Sequence, residues 1–454
     1  MTLPLRPSAR LRHELRDTLV LAAPLVLGQL AAIGMNVVDA VLAGHFSAAT
    51  LAAVAVGTSV WSLVIVAAIG VMLALPPSVA QLLGAGEHAR IGGLFRQALW
   101  LACVLGIALL VAVRHATPLL RAIGIDEAIV ADTSRFLRAI SWGAPALTGY
   151  FALRGLSEGL ALTRPTMYFG FLGLVVLAPV GYVFMYGGFG MPARGAEGSG
   201  IATASVLWLQ FAAFATYIAL RRRYHPYAPF ARFDAPHPRA IIELLRLGVP
   251  MGIAVFMEAS LFIVAALLIG SLGADAVAGH QVAINVASVA FMLPLGVAMA
   301  TTVRVGLAVG RRDEAGVRYA GYVGIGVSLA TQTGSCLAMA LLPRQIAALY
   351  TNDPGVTALA AQLLLLAAIF QFSDGIQVTA NGALRGLKDT TVPMVITTLA
   401  YWGVGMPIGY WLAFRAGMGA RGMWIGLAAG LSVAAVLLFA RFANRVRVRP
   451  AARA

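Results

Sequence analysis

The stretch GVPMGIAVFMEASLFIVAALLIGSLGADAVAG, Gly248 to Gly279, decides the fold. Between Ile253 and Gly270 its one charged residue is Glu258. Such a run reads as a bilayer-crossing helix, since about 20 apolar residues at 1.5 Å each span the hydrocarbon core. A carboxylate in the middle of that run is costly, and it is kept where it faces a bundle interior or a wet cavity. The segment therefore points both to a membrane protein and to an ion or substrate path through it.

The rest of the chain has the same character. Of its 454 residues 60 % are hydrophobic and 11 % charged, whereas a soluble domain carries about 25 % charged residues. The deficit runs the whole length, which excludes a soluble protein with a single anchor. Helices are the expected spanning form, because each segment must satisfy its own backbone polar groups. An outer-membrane barrel would show short alternating strands instead. The net charge of +15 does not imply nucleic acid, since the arginines are assigned to loops and span ends. Cys103 and Cys336 both fall within apolar spans, so neither a disulfide nor a zinc site is expected. No cofactor is expected either.

Hydropathy, cut at charged and Gly/Pro breaks, predicts twelve spans. They are 18–40, 50–75, 94–113, 132–153, 166–187, 198–220, 244–270, 277–303, 317–342, 357–383, 392–414 and 421–440. The longest polar connection, RRRYHPYAPFARFDAPHPRA at 221–240, divides them six and six. With the N-terminus inside, the inner segments hold 25 of the 33 Lys and Arg residues and the outer ones 8. By the positive-inside rule both termini and the 221–240 linker are cytoplasmic.

The second half repeats the first. At an offset of 226, Pro24 falls on Pro250, Gly44 on Gly270, Gly70 on Gly296, Gly84 on Gly310 and Glu87 on Asp313. Further on, LRGL at 153–156 matches LRGL at 384–387, and Pro179-Val180-Gly181-Tyr182 matches Pro407-Ile408-Gly409-Tyr410. Two six-span copies share one orientation, and parallel repeats of this kind are a transporter architecture. The expected fold is thus an all-α membrane protein with twelve transmembrane helices in two pseudo-symmetric six-helix lobes. The lobes are 1–220 and 241–440, joined by the 221–240 linker and followed by a basic cytoplasmic tail at 441–454.

Of eighteen acidic residues three lie within spans: Asp39, Glu258 and Asp374. None is kept in the repeat partner, where they align with Ala265, Ala32 and about Gly143. Each has polar company at helical spacing. Gln371, Gln377 and Asn381 form a stripe with Asp374; Gln281 and Asn285 follow one face of the eighth span beside His280; Asn36 lies one turn before Asp39, with Gln29 two turns earlier. Phe262, one turn after Glu258, can cover a desolvated cation with its ring face. The competing reading is of protonated acids and polar side chains that hold helices together by hydrogen bonds. Pro24 and Pro250, at equivalent places in the two halves, are candidate hinges.

These motifs carry a resemblance. PLVLGQLAAIGMNVVDAVLAGH (24–45), EASLF (258–262), AGHQVAINV (278–286), LRGLSEGLALTRPTM (153–167) and LRGLKDTTVPM (384–394) together resemble the multidrug and toxic compound extrusion (MATE) transporters, in their bacterial NorM-like branch, over about residues 15–440. The resemblance implies two six-helix lobes facing a central cleft. It also implies export of cationic drugs and toxins against inward Na⁺ or H⁺, from a monomer in the bacterial inner membrane. It implies a cation site at Glu258, Phe262, Gln281 and Asp374, with Asp39 as the N-terminal lobe's acid. Two positions depart from the family pattern. Leu177 and Gly181, around Pro179, stand where relatives carry asparagines, which leaves Thr203 as the remaining candidate partner of Asp39. Phe370 stands where relatives have an aromatic hydroxyl. Competing functions are a lipid-linked saccharide flippase, which needs basic residues facing its cleft, an intramembrane aspartyl-type enzyme, for which no HExxH or GxGD motif is present, and a channel.

Overall fold

The computed structural model describes residues 7–447 apart from 123 and 189, and those residues are almost entirely helical. In chain order the helices of the first half are α1 Pro7–Phe46, α2 Ala48–Met72, α3 Leu75–Gly84, α4 His88–Arg114, α5 Thr117–Ala122, α6 Glu127–Ser141, α7 Ala144–Gly159, α8 Arg164–Tyr186 and α9 Gly195–Leu220. Those of the second half are α10 Pro238–Gly270, α11 Ala274–Gly310, α12 Glu314–Leu341, α13 Pro343–Ala348, α14 Pro354–Gly386, α15 Thr391–Thr398, α16 Met406–Tyr410 and α17 Ala420–Val446. Two π-helical stretches, Leu399–Gly405 and Trp411–Arg415, make α15 and α16 one continuous span.

Among the described residues eleven spans are long and apolar enough to cross a membrane, and each covers one predicted span, those for 166–187 and 317–342 ending one residue short of it. The remaining prediction, 132–153, is two helices of 15 and 16 residues, α6 and α7, which meet at Trp142 and Gly143. Pro145, near the start of α7, has no N–H to continue the ladder. The twelve-helix count is consistent with this arrangement. The helices begin where the sequence supplies caps: Ser47 accepts from Thr50 N, Asp126 from Ala128 N, Asp313 from Gly316 N, and Asp353 from Gly355 N and Val356 N. These side chains satisfy donors that the first turn leaves free.

The chain forms two compact units, residues 27–252 and residues 7–26 with 253–447. The divisions fall inside α1 and α10, each two residues beyond a proline, Pro24 and Pro250. They are 226 residues apart, the repeat offset. Both prolines sit inside uninterrupted helices.

In the 27–252 unit the apolar core gathers Leu75, Ile91, Phe95, Leu153, Leu156, Phe214 and Tyr224. The 221–237 segment is stowed against α4 rather than left loose. Arg96 donates from Nε to Asp234 at 2.6 Å and from a terminal nitrogen to the Ala228 carbonyl at 2.8 Å. Gln97 donates to the Ala235 carbonyl at 3.0 Å and accepts from His237 N at 2.6 Å, and Trp100 Nε1 donates to the Asp234 carbonyl at 2.9 Å. Phe95 meets Phe230 edge-on, and Trp100 meets Phe233. Gly92 makes the approach possible, since a Cβ there would lie 2.2 Å from the Tyr227 carbonyl oxygen. Tyr224 is buried and hydrogen-bonded to Ser157, and burial pushes its hydroxyl up to about 12.

In the other unit, α16 and α17 approach backbone to backbone: a Cβ on Gly426 would lie 2.2 Å from Gly409 Cα. Small residues at such a crossing let helices pack where water supplies no driving force. The same unit holds α1's first turns through ion pairs. Arg304 meets Glu14 at 2.6 Å and Asp17 at 2.9 Å, and Arg10 meets Asp313.

The Arg96 guanidinium beside Asp234 holds that carboxyl below the usual carboxylate range. A carboxylate depressed on folding contributes stability above its unfolded pKa and loses it as pH falls through the folded one. Asp234→Asn is therefore expected to lower the thermal midpoint of the detergent-solubilised protein at pH 7. The two midpoints are expected to converge as pH falls through the depressed folded-state value, below which Asp234 is protonated in both states. A constant offset across that range in a melting series would contradict the assignment.

Candidate functional site

Asp374 stands on α14 and is buried, at 4 % exposure, while Glu258 on α10 is half-buried. The two carboxylates lie within electrostatic reach of each other. Arg385, three turns beyond Asp374 on α14, is in the field of Glu258. Tyr401, in the first π-helical stretch, is fully buried and in reach of Glu258, Asp374 and Arg385. Gln377 is its neighbour, but neither Gln377 Oε1 nor Tyr401 Oη closes a hydrogen bond of normal geometry.

These atoms belong to a wider pattern. Among the described residues the buried side-chain atoms lacking a hydrogen-bond partner are on Thr18, Gln332, Gln377, Thr379, Arg385 and Tyr401. All six belong to the unit of residues 7–26 and 253–447. An orphaned buried polar atom costs about 1–3 kcal/mol. A group of them beside two acids marks a polar site rather than a finished core.

The site is framed by packing. Phe262 meets Phe370 edge-on at 6.3 Å, Phe370 meets Trp424 at 6.0 Å, and Trp424 Nε1 donates to His280 Nδ1 at 3.1 Å. This chain of rings ties α10, α14, α17 and α11 together. Ser373, beside Asp374, bonds Ser432 of α17 at 2.7 Å. Trp402 donates to the Met257 carbonyl, next to Glu258, at 3.2 Å.

The predicted residues divide accordingly. Glu258, Asp374 and Gln377 come together. Phe262 and His280 join the aromatic frame, where His280 is an acceptor for Trp424. Gln371 is fully buried and accepts from Gln332 of α12. Asn381 is buried on α14, one turn beyond Gln377. Gln281 and Asn285 are exposed and bonded to each other at 3.1 Å, with no bond to either acid.

The 27–252 unit has an acid of its own. Asp39 accepts from Thr203 at 3.1 Å and from Ser199 at 3.2 Å, both on α9. Leu177 is fully buried with Ala202 and Val206, against Met35 and Val38, so hydrocarbon fills the α8 side near Asp39. Asn36 is exposed. Gln29 does not accompany Asp39, because its Oε1 accepts from Arg154 at 3.0 Å. Arg154 also donates to Glu158 at 2.6 Å, and both are buried.

Arg154 corrects the sequence reading, which assigned every basic residue to a loop or span end. Helix α7 runs to Gly159, past the predicted end at 153, and carries Arg154 inside. Its repeat mate is Arg385, the arginine of the second LRGL, and their surroundings differ. Arg154 finds an acid four residues on, in Glu158. The corresponding Asp389 is held by Arg441 and Arg445 at 2.9 and 2.8 Å. Arg385 is left to Glu258. Arg385, Tyr401, Gln332 and Ser199 are absent from the sequence-derived set. The signal available for Arg385 was the LRGL repeat, and for Ser199 its i, i+4 spacing from Thr203, but neither residue was singled out. A lone Tyr or Gln on an apolar span gave no comparable signal.

A family model described as MatE matches the chain twice, over residues 24–183 and 250–411. The chain belongs to this family. The two matches start 226 residues apart, which is the repeat offset. Full-length relatives agree. The chain is 52 % identical over 434 residues to the probable multidrug resistance protein NorM of Xanthomonas axonopodis pv. citri, covering 96 % of this chain and 95 % of that one. It is 43 % identical over 450 residues to the multidrug resistance protein PmpM of Pseudomonas aeruginosa, covering 98 % and 94 %. The fold matches the crystal structure of the eukaryotic MATE transporter AtDTX14 at a TM-score of 0.86 and 19 % identity, over 96 % of this chain and 99 % of that one. The chain is thus a multi-pass integral membrane protein and a MATE transporter, not an enzyme.

In this MATE transporter the Arg154–Glu158 pair is structural. Removing one member of a buried pair leaves its charge without compensation, at a cost of about 3–5 kcal/mol. Glu158→Gln is expected to lower the thermal midpoint and the yield of folded protein, whereas Glu127→Gln, which removes the exposed pair with Arg121, is expected to leave the midpoint near the parent value. Melting curves of the two variants side by side check this.

Proposed function

We propose that the chain exports cationic drugs and toxins in exchange for an inward-moving Na⁺ or H⁺, and that Glu258 and Asp374 carry the exchange. The carrying observation is that the two acids lie within reach of each other and that one guanidinium, Arg385, lies within reach of Glu258. Two carboxylates and one guanidinium leave a single negative charge in a poorly hydrated place. Two acids cannot both stay ionised there without a compensating cation. One monovalent ion, or one cationic guest, completes the neutralisation, and holding both at once is disfavoured. Coupling is then competition for the same charge.

The direction of exchange follows from the membrane potential. One elementary charge moved inward across 100 mV yields about 2.3 kcal/mol, which sustains a substrate gradient of roughly fiftyfold. The excess of Lys and Arg in alternate connections supports cytoplasmic termini and an inner-membrane location. In this reading the protein works as a monomer whose six-helix halves, 1–220 and 241–440, rock about Pro24 and Pro250. Asp39 with Ser199 and Thr203 is a second, weaker cation position. Against a flippase reading, three arginines inside the helices already face acids rather than standing free for a pyrophosphate. Arg154 is matched by Glu158, Arg304 by Glu14 and Asp17, and Arg385 by Glu258.

Glu258→Gln and Asp374→Asn are expected to reach the membrane folded and to lose at least 90 % of efflux. Ethidium or norfloxacin efflux from vesicles, with Na⁺ and pH gradients imposed separately, reads both the loss and the driving ion. Unimpaired efflux by either variant would refute the shared-charge mechanism.

A further inference from the structure

We infer that the Tyr401 hydroxyl is a working part of the coupling-ion site, the neutral oxygen that accompanies the two carboxylates. The inference rests on the reading of Glu258 and Asp374 as the coupling pair and adds a residue to it.

Four observations carry it. Tyr401 is fully buried, and its Oη closes no hydrogen bond of normal geometry, although the Gln377 side chain lies beside it. A tyrosine hydroxyl that deep inside normally finds one. The groups it does face are the charged ones, Glu258, Asp374 and Arg385, with Gln377 beside it. An open hydroxyl beside two acids can donate to a carboxylate when the ion is absent. It can turn a lone pair to the ion when the ion is present.

The backbone around it is unusual in the way functional sites often are. Tyr401 lies in the π-helical stretch Leu399–Gly405, and π-turns inside α-helices recur at functional sites. Pro407, six residues on, has no N–H for the Gly403 carbonyl, which loosens the α-helical ladder here. Trp402 then pins the stretch to α10 through the carbonyl of Met257. The same short segment therefore holds the hydroxyl and positions the residue next to Glu258.

The repeat supplies a comparison within one molecule. With Pro179 aligned on Pro407, the mate of Tyr401 is Gly173. In that half the place of a side chain is taken by Gln210, whose Nε2 lies 2.2 Å from where a Gly173 Cβ would be and donates to the Phe169 carbonyl at 2.7 Å. That half has a closed, satisfied contact at this position. Glu258, Asp374 and Tyr401 are each missing from the repeat partner. Three departures from the duplicated scaffold thus meet at one point. Phe370, one turn before Asp374, offers no hydroxyl, whereas Tyr401 is a phenol in reach of both acids.

The test is Tyr401→Phe in the full-length transporter, a change that removes one oxygen and keeps the ring. Binding of NaCl, or of protons in a pH titration, is followed by the fluorescence of the neighbouring Trp402 and Trp424. The half-saturating concentration of the driving ion is measured in vesicles. The expected result is a shift of at least fivefold in that concentration by both methods. Drug binding without a gradient is expected to stay within twofold of the parent, and the thermal midpoint to be unchanged. Tyr410→Phe, on the exposed face of the same span, is expected to shift nothing. A parent-like ion response in Tyr401→Phe overturns the inference. If Glu258→Gln and Asp374→Asn lose the ion response while Tyr401→Phe keeps it, only the tyrosine's role falls. If those two variants also keep it, the coupling pair itself falls.

Discussion

The constraint on which the rest of this structure depends is that charge is placed where water cannot solvate it. Coulomb terms inside a bundle are several times those at a wet surface, so each interior charge must be matched, shielded or exchanged. The protein uses all three solutions. Arg154 and Glu158 are matched permanently. Asp39 is shielded by two hydroxyls. In the proposed mechanism the group around Glu258 and Asp374 is short of one positive charge, and transport follows from that shortage.

The surrounding packing keeps the shortage from relaxing. The rings of Phe262, Phe370, Trp424 and His280 brace four helices. The Ser373–Ser432 bond fixes α14 against α17 beside Asp374. A braced wall holds the acids near one another when they would otherwise separate. This accounts for two polar residues that look functional by position. His280 is occupied with a tryptophan, and Gln371 with Gln332.

Much of this was legible in the sequence. Apolar runs of bilayer length fixed the helices, since hydrocarbon leaves backbone polar groups no other partner. The duplication was visible because prolines and glycines mark backbone positions that drift little. Glu258 and Asp374 stood out because acids are rare at that depth. Harder to see was which polar residues share a point in space. Gln29 and Asn36 share a span with Asp39, yet one bonds Arg154 and the other is exposed. Tyr401 lay hidden because a tyrosine in an apolar run looks like packing until its hydroxyl is seen to close no hydrogen bond of normal geometry. The fourth span reads as one run although Pro145 falls inside it, because the residues on either side of the break at Trp142 and Gly143 are equally apolar.

The ion pairs that hold the start of α1 have a consequence for biosynthesis. Arg10, Glu14 and Asp17 are made long before their partners Asp313 and Arg304, which lie roughly 290 to 300 positions downstream. Domains tend to assemble as they are made, amino end first. Here the opening segment belongs to the unit completed last, so for most of translation its charges have only water, lipid headgroups or a chaperone to meet. The nascent chain carries these turns of α1 without their ion-pair partners until residues 304–313 have been made.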